Sequence, residues 1–524
     1  MKKICKLLAL TLALAMLCCM FAGCAAKPAA TEEKPSGDSQ QTTQDTPAAS
    51  GAVLRAALID EIVDYNPFVN QQTIYLCFIN NNVMEPLLYI NEKNEYVPSL
   101  AASWDISDDA LTYTFHLREG VKFHDGSAFS AEDVKYTLEY TKDEANGCWR
   151  AGYFASVSEI TCPDEHTLVL QLSAPTPALL DSLSSMAIVS AKQDPATYST
   201  VLNGTGPFRF ASAVTNDSMT FEKNADWWDA ANVKLDGFVL KYFADESTEI
   251  TSLQAGDVDL IYNLSAMSAG TVAGSSGLKV VTSPTSNSTY LFEIGKHNVE
   301  AFQNEDVLKA MFMCLDTETI ANQVFYGYAS ASTGVVHPGA KYFKSVYDTT
   351  YDVDAAKALL ATTPYADGFE FTLNCLQGGA FEAIGIIWQQ DLAKIGIKLN
   401  VSVEEMSVWL DHYLSRDYDM IANSYSMVGT DPATMMTLII ASLYNYQASE
   451  AIIPGLSALI DEAATTADET KRAELYGQIF DLLAEKMPVY TYLCVDNLYG
   501  ANEKLNNVCF TGESRYIFSY ATLG

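Results

Sequence analysis

Between residues 369 and 403 the apolar positions change period twice. Phe369, Phe371, Leu373 and Cys375 alternate; Phe381, Ile384, Trp388, Leu392 and Ile395 recur at helical spacing; Ile397, Leu399, Val401 and Val403 alternate again. Strand, helix and strand in one short segment make a βαβ unit, whose strands run parallel and whose helix covers one face. A second helix candidate around Trp409 to Leu414 then leads into the strand-like YDMIANSYS. This region is therefore expected to be an open parallel sheet under covering helices, with ligand bound beyond the strand C-termini. A late helix carries Tyr476, Ile479, Phe480 and Leu483 on one face and stops before Pro488.

Nearer the N-terminus, LTYTFHL sets Leu111, Tyr113, Phe115 and Leu117 on one face of a half-buried strand. Ser130-Ala131-Glu132-Asp133 reads as a capping-box-like helix start, with Val134 and Leu138 in the buried stripe. A chain of 524 residues exceeds what one hydrophobic core organises, so two or three lobes are expected. Neither an internal repeat nor a heptad is visible, which predicts a monomer. The formal net charge of −34 repels phosphate backbones and argues against a nucleic-acid partner.

The first residues are basic (Lys2, Lys3, Lys6), and residues 7–22 are uncharged and mostly apolar. That run falls short of the roughly 20 residues that span a bilayer and predicts an export signal. Ala22-Gly23-Cys24 resembles the bacterial lipobox, with Phe21 where that motif usually has leucine. Cys24 is thus expected to be lipidated and to begin the mature chain, held to the outer face of the cytoplasmic membrane by two or three acyl chains. Residues 25–50 hold no Val, Ile, Leu or aromatic residue and read as a disordered tether.

Beyond the leader lie Cys77, Cys148, Cys162, Cys314, Cys375, Cys494 and Cys509, an odd number at wide spacing with no C-x-x-C. Neither a zinc site nor a disulfide framework is indicated, although Cys148 and Cys162 are close enough in sequence to bridge a hairpin. The six histidines are scattered, and nucleophile-elbow, zincin and phosphate-loop motifs are absent. The expectation is a binding protein with no catalytic residue, no metal and no cofactor.

Residues 98–139, PSLAASWDISDDALTYTFHLREGVKFHDGSAFSAEDVKYTLE, closely resemble the signature of extracellular solute-binding proteins of the oligopeptide and dipeptide type, the receptors of bacterial ABC importers. Further matches follow in family order at Val83-Met84-Glu85-Pro86-Leu87, Gly204-Thr205-Gly206-Pro207-Phe208, Asn224-Ala225-Asp226-Trp227-Trp228 and Asp431-Pro432. The resemblance implies an α/β, two-lobed, periplasmic-binding-protein-like (Venus flytrap) fold with an extra subdomain. Its expected divisions are a first-lobe core at 51–90 and 201–285, an extra subdomain at 91–200, a second lobe at 286–490 and a return to the first lobe at 491–524. It implies capture of a peptide, or of a metal chelate, oligosaccharide or other small solute, by hinge closure. The expected partners are a membrane permease and its ATPase subunits.

The same resemblance nominates ligand contacts. In peptide-binding relatives the second-lobe strand before the Asp-Pro pair carries an aromatic residue and an aspartate that receives the peptide ammonium. Counting back from Asp431 puts Tyr425 at the aromatic position and Val428 at the aspartate position, with Ser426 and Met427 between them. Asp431, Asp419 and Glu293 are the carboxylates that would compensate for Val428. Trp409 is a candidate stacking residue and Arg416 a candidate partner for a ligand carboxylate, its alternative being a surface pair with Asp417. Tyr290, and Tyr65 with Asn66 in the loop after the first strand, complete the set.

Overall fold

The computed structural model describes residues 52–282, 288–426, 430–433, 435–436, 452–510 and 515–524. The leader, Cys24, the tether, Met427 and Val428 lie outside the described residues, as does the side chain of Ser426. Two separate sheets organise the chain, each with its own apolar core.

The first is seven-stranded, in the order Leu278–Thr282, Leu498–Asn502, Leu260–Ile261, Val53–Leu58, Gly237–Tyr242, Ser218–Lys223 and Phe208–Val214. Val53–Leu58 lies at its middle, parallel to both neighbours, and Leu54, Ala56 and Leu58 enter the core. Gly204 lets residues 204–206 lie directly against Val83: a Cβ at Gly204 would stand 1.9 Å from the Val83 carbonyl oxygen.

A four-stranded antiparallel sheet, Ala101–Ile106, Thr112–Leu117, Thr167–Leu172 and Val157–Asp164, forms the extra subdomain with the helix Ala131–Lys142. Tyr113, Phe115 and Leu117 point into its core with Val134 and Leu138, as the two periods predict. The helix starts as expected: Asp133 accepts the Ser130 amide at 2.8 Å, and its second oxygen accepts the Ala191 amide at 2.8 Å. Leu87 and Leu88 belong to this core, whereas Ala187 and Val189 belong to the first-lobe core, so the subdomain core spans about residues 87–188.

Glu85 ties the subdomain to the first lobe. Its carbonyl accepts the Ile188 amide at 2.9 Å, and its buried carboxylate accepts Trp227 Nε1 and Trp228 Nε1, both at 3.0 Å, and the Thr205 hydroxyl at 2.8 Å. Arg118 of the subdomain stacks on the Trp228 ring at 3.7 Å. The Glu-Pro-Leu and Trp-Trp motifs thus build an inter-domain joint.

The second sheet is six-stranded, in the order Ala329–Ala331, Val489–Val495, Ser288–Ile294, Met420–Ser426, Glu370–Leu376 and Lys398–Glu404. Glu370–Leu376 and Lys398–Glu404 pair in parallel around the helix Phe381–Lys394, which is the expected βαβ unit, and Met420–Ser426 joins them in parallel. The three strands of this region are thus parallel under covering helices, as expected, and the sheet they belong to is mixed because strands from outside the region join it antiparallel. Ser288–Ile294 is antiparallel to both of its neighbours, because it brings the chain in from the first lobe while Val489–Val495 carries it back. Since Val489–Val495 belongs wholly to this sheet, the return to the first lobe starts after Val495 and not at about 491.

The second core centres on Trp388, which stacks on Phe292 at 4.9 Å and donates its Nε1 hydrogen to the Met311 carbonyl at 3.1 Å. The described cysteines are all thiols, so the Cys148–Cys162 bridge is not formed. Among the described residues no helix is long and apolar enough to cross a membrane, and no group of three His, Cys, Asp or Glu side chains is placed to hold a metal ion.

Candidate ligand-binding site

Strand Met420–Ser426 pairs antiparallel with Ser288–Ile294, setting Tyr425 opposite Thr289, Ser424 opposite Tyr290 and Ile421 opposite Glu293. The two-residue side-chain period then sorts the candidates onto opposite faces. Tyr425, Asn423 and Glu293 face the helix Met406–Ser415, whereas Tyr290 and Ser424 face the helix Phe381–Lys394.

On the first face lies a buried polar network around Glu293. The Tyr425 hydroxyl donates to Glu293 Oε1, which also accepts Asn423 Nδ2 at 3.3 Å, while Oε2 accepts the Tyr418 hydroxyl at 3.4 Å. Tyr413 and Tyr425 share a hydroxyl contact at 3.2 Å. Arg416 ends the helix Met406–Ser415 in the left-handed region at φ 62° and turns its guanidinium inward, over the Tyr413 ring at 4.7 Å and 3.6 Å from Glu293 Oε2. Arg416 is only 5% exposed, so the pair formed is buried and with Glu293, in place of a surface pair with Asp417. Burial opposes the Arg416 cation, but Glu293, Tyr418 and Tyr413 together outweigh it and the pKa is raised. Burial and then the Glu293 charge raise the Tyr425 hydroxyl well above the ordinary tyrosine range.

Trp409 is buried in the same layer, stacked on Tyr413 at 5.3 Å among Leu376, Tyr418 and Ile421. On the opposite face Tyr290 is half-buried between Phe325 at 5.2 Å and Phe381 at 5.1 Å, and burial pushes its hydroxyl up to about 12. Ser424 beside it is also half-buried.

Asp431 follows the strand. Its carboxylate is gripped by two of the Arg472 guanidinium nitrogens, with Nη2 to Oδ1 at 2.8 Å, and it also accepts the Ala433 amide at 2.9 Å. Asp419 Oδ2 accepts the Thr372 amide at 2.9 Å. All three carboxylates considered as substitutes at the valine position therefore have partners within the protein.

From the first lobe, the loop after Val53–Leu58 is shaped by Asx turns: Asp64 Oδ1 accepts the Asn66 amide at 2.9 Å, and Asn66 Oδ1 accepts the Phe68 amide at 3.0 Å. Tyr65 is half-buried, its carbonyl accepting the Tyr75 hydroxyl at 3.1 Å and its ring 6.1 Å from Phe210. The nominated residues thus divide. Tyr65, Asn66, Tyr290 and Ser424 keep partly accessible surface, whereas Trp409, Tyr425, Arg416 and Asp431 are packed behind the strand and loop that carry them. Sequence reasoning did not single out Asn423, Tyr413, Tyr418 or Arg472. The available signal was the alternation of YDMIANSYS, which sets Asn423 beside Tyr425, and no local pattern announces Arg472.

Comparison with known proteins places this geometry. The family model of bacterial extracellular solute-binding proteins, family 5 Middle, matches residues 95–446. Di/tripeptide-binding protein 1 of Pseudomonas aeruginosa is 28% identical over 432 residues, covering 75% of this chain and 79% of that protein. Among solved structures, the ABC transporter substrate-binding protein CtaP from Listeria monocytogenes superposes with a TM-score of 0.80 at 22% identity, covering 90% of this chain and 99% of that one. NikA from Brucella suis in complex with Fe(III)-EDTA superposes equally well, at 0.80 and 23% identity over 90% of this chain and 99% of that one.

Proposed function

The chain belongs to the bacterial extracellular solute-binding proteins of family 5, non-enzymatic substrate-binding components of ABC importers, and from that premise we propose that it is a lipid-anchored peptide receptor. In this reading Cys24 carries the acyl chains and the tether of residues 25–50 lets the folded part reach a membrane permease and its ATPase subunits. A short peptide is captured between the lobes by hinge closure, and Tyr65, Asn66, Tyr290 and Ser424 supply the accessible contacts. The similarity to a di/tripeptide-binding protein across three quarters of the chain carries the peptide assignment.

A second reading, a solute without a free amine, is favoured by one specific observation. Asp431 is held by Arg472 and Glu293 by Tyr425, Asn423 and Arg416, while Val428 stands where the family resemblance, counted back from Asp431, expects the aspartate. A buried ammonium with no carboxylate partner costs several kcal/mol. The relative holding Fe(III)-EDTA shows that the fold accommodates such a solute.

Native mass spectrometry of the purified protein, followed by denaturation and identification of the released mass, separates the two. A ladder of short peptides supports the first reading, and a single non-peptide mass supports the second. Release of palmitate-sized acyl groups from the N-terminal peptide of membrane-extracted protein tests the anchor.

A further inference from the structure

The extra subdomain, bonded to the first lobe through Glu85, also touches the second lobe. Asp181 lies on the short helix Leu179–Ser184 and is only 3% exposed. Its Oδ1 accepts the Tyr96 hydroxyl at 2.7 Å from within the subdomain, while its Oδ2 accepts two consecutive backbone amides of the second lobe, Thr430 at 3.2 Å and Asp431 at 2.9 Å. The two residues that donate these amides are themselves bonded within the second lobe. Asp431 is gripped by Arg472, itself fully buried, and the Thr430 carbonyl accepts the Lys341 amide at 2.8 Å, so both N–H groups are aimed together. A second bond crosses the same seam, from Asn94 Nδ2 to the Gly339 carbonyl at 2.8 Å.

We propose that Asp181 is a clasp between the extra subdomain and the second lobe, one that stabilises lobe closure independently of any bound solute. The bonds to Thr430 and Asp431 are charge-assisted and exist only when the lobes meet. Separating the lobes returns the carboxylate and both amides to water. The clasp therefore biases the open–closed equilibrium directly, and a solute needs correspondingly less preference for the closed form to populate it. The inference rests on the two-lobed receptor reading but not on whether the solute is a peptide.

The test uses no ligand. Protein stripped of retained solute by unfolding and refolding is spin-labelled through unnatural amino acids at Met267 in the first lobe and Val408 in the second, both exposed, and the inter-label distance distribution is measured. The parent is expected to show a closed population without solute. Asp181→Asn keeps the volume and removes the charge, and should lower the closed-to-open ratio by about tenfold or more. Asn94→Gly, which tolerates the φ of 61° at that position, should shift the distribution the same way by less. A parent that is wholly open, or an Asp181→Asn protein with an unchanged distribution and a native circular-dichroism melt, overturns the proposal. If Asp181→Asn does not refold, an unchanged distribution in Asn94→Gly overturns it.

Discussion

Arg472 and Asp431, separated by 41 residues in sequence, form a two-pronged ion pair from which solvent is almost wholly excluded. The pair fastens the loop after the strand Met420–Ser426 to the long helix Glu469–Lys486, and Arg472 Nε reaches on to the Ala463 carbonyl at 2.8 Å. A family motif that looks like a binding element in sequence, Asp-Pro, thus acts as an anchor for the lobe that presents the cleft.

Asp431→Asn should destabilise the protein strongly. It leaves the Arg472 charge buried without its counter-ion, a loss of about 3–5 kcal/mol. Denaturant unfolding followed by tryptophan fluorescence measures it, and a loss below 1 kcal/mol would show that the pair is worth no more than a surface one.

Glu85 should make stability fall as pH rises. Burial lifts its carboxyl to about 7 against the pull of Trp227, Thr205 and Trp228, so the folded protein holds this proton more tightly than the unfolded chain does. A raised carboxyl contributes stability that is fully present below its unfolded value near 4.5 and lost as pH climbs through about 7. The difference between parent and Glu85→Gln stability should therefore change by about 3 kcal/mol between pH 4 and pH 8. A pH-independent difference would refute the shift.

Tyr425→Phe should cost stability more than affinity. The hydroxyl that is lost is a donor to buried Glu293 and a partner of Tyr413, worth about 1–3 kcal/mol when a buried acceptor is left short. Because the ring packs behind the strand, affinity for the solute identified by mass spectrometry, measured by isothermal titration calorimetry, should match the parent. A large affinity loss with unchanged stability would place the ring in the cleft instead.

The thiols should be slow. Cys509 donates to Glu92 Oε2 at 3.0 Å, and burial followed by that carboxylate pushes its pKa up to about 12; burial pushes Cys162 to about 11. Since the thiolate is the reactive form, Ellman's reagent at pH 8 should react slowly with native protein produced without residues 1–51 and titrate its seven cysteines after denaturation. A denatured count of five would mean a disulfide.

By itself the sequence determined the elements and the class. Period-two and helical spacing reported the strand Thr112–Leu117, the helix Ala131–Lys142 and the βαβ unit of residues 369–403, because local periodicity records which face of an element is buried. Family motifs such as Glu85-Pro86 and Trp227-Trp228 identified the two-lobed architecture. Only the tertiary structure decided where the side chains of the nominated site point. Pairing of Ser288–Ile294 with Met420–Ser426 sent Tyr425 to one face and Tyr290 to the other, and the left-handed end of one helix turned Arg416 inward to Glu293. Likewise Asp431 found Arg472, and Asp181 found two amides some 250 residues away, through contacts between segments that no local pattern connects. Strand register and charge pairing are set by which groups can satisfy one another once brought together, and that information exists only after the chain has folded.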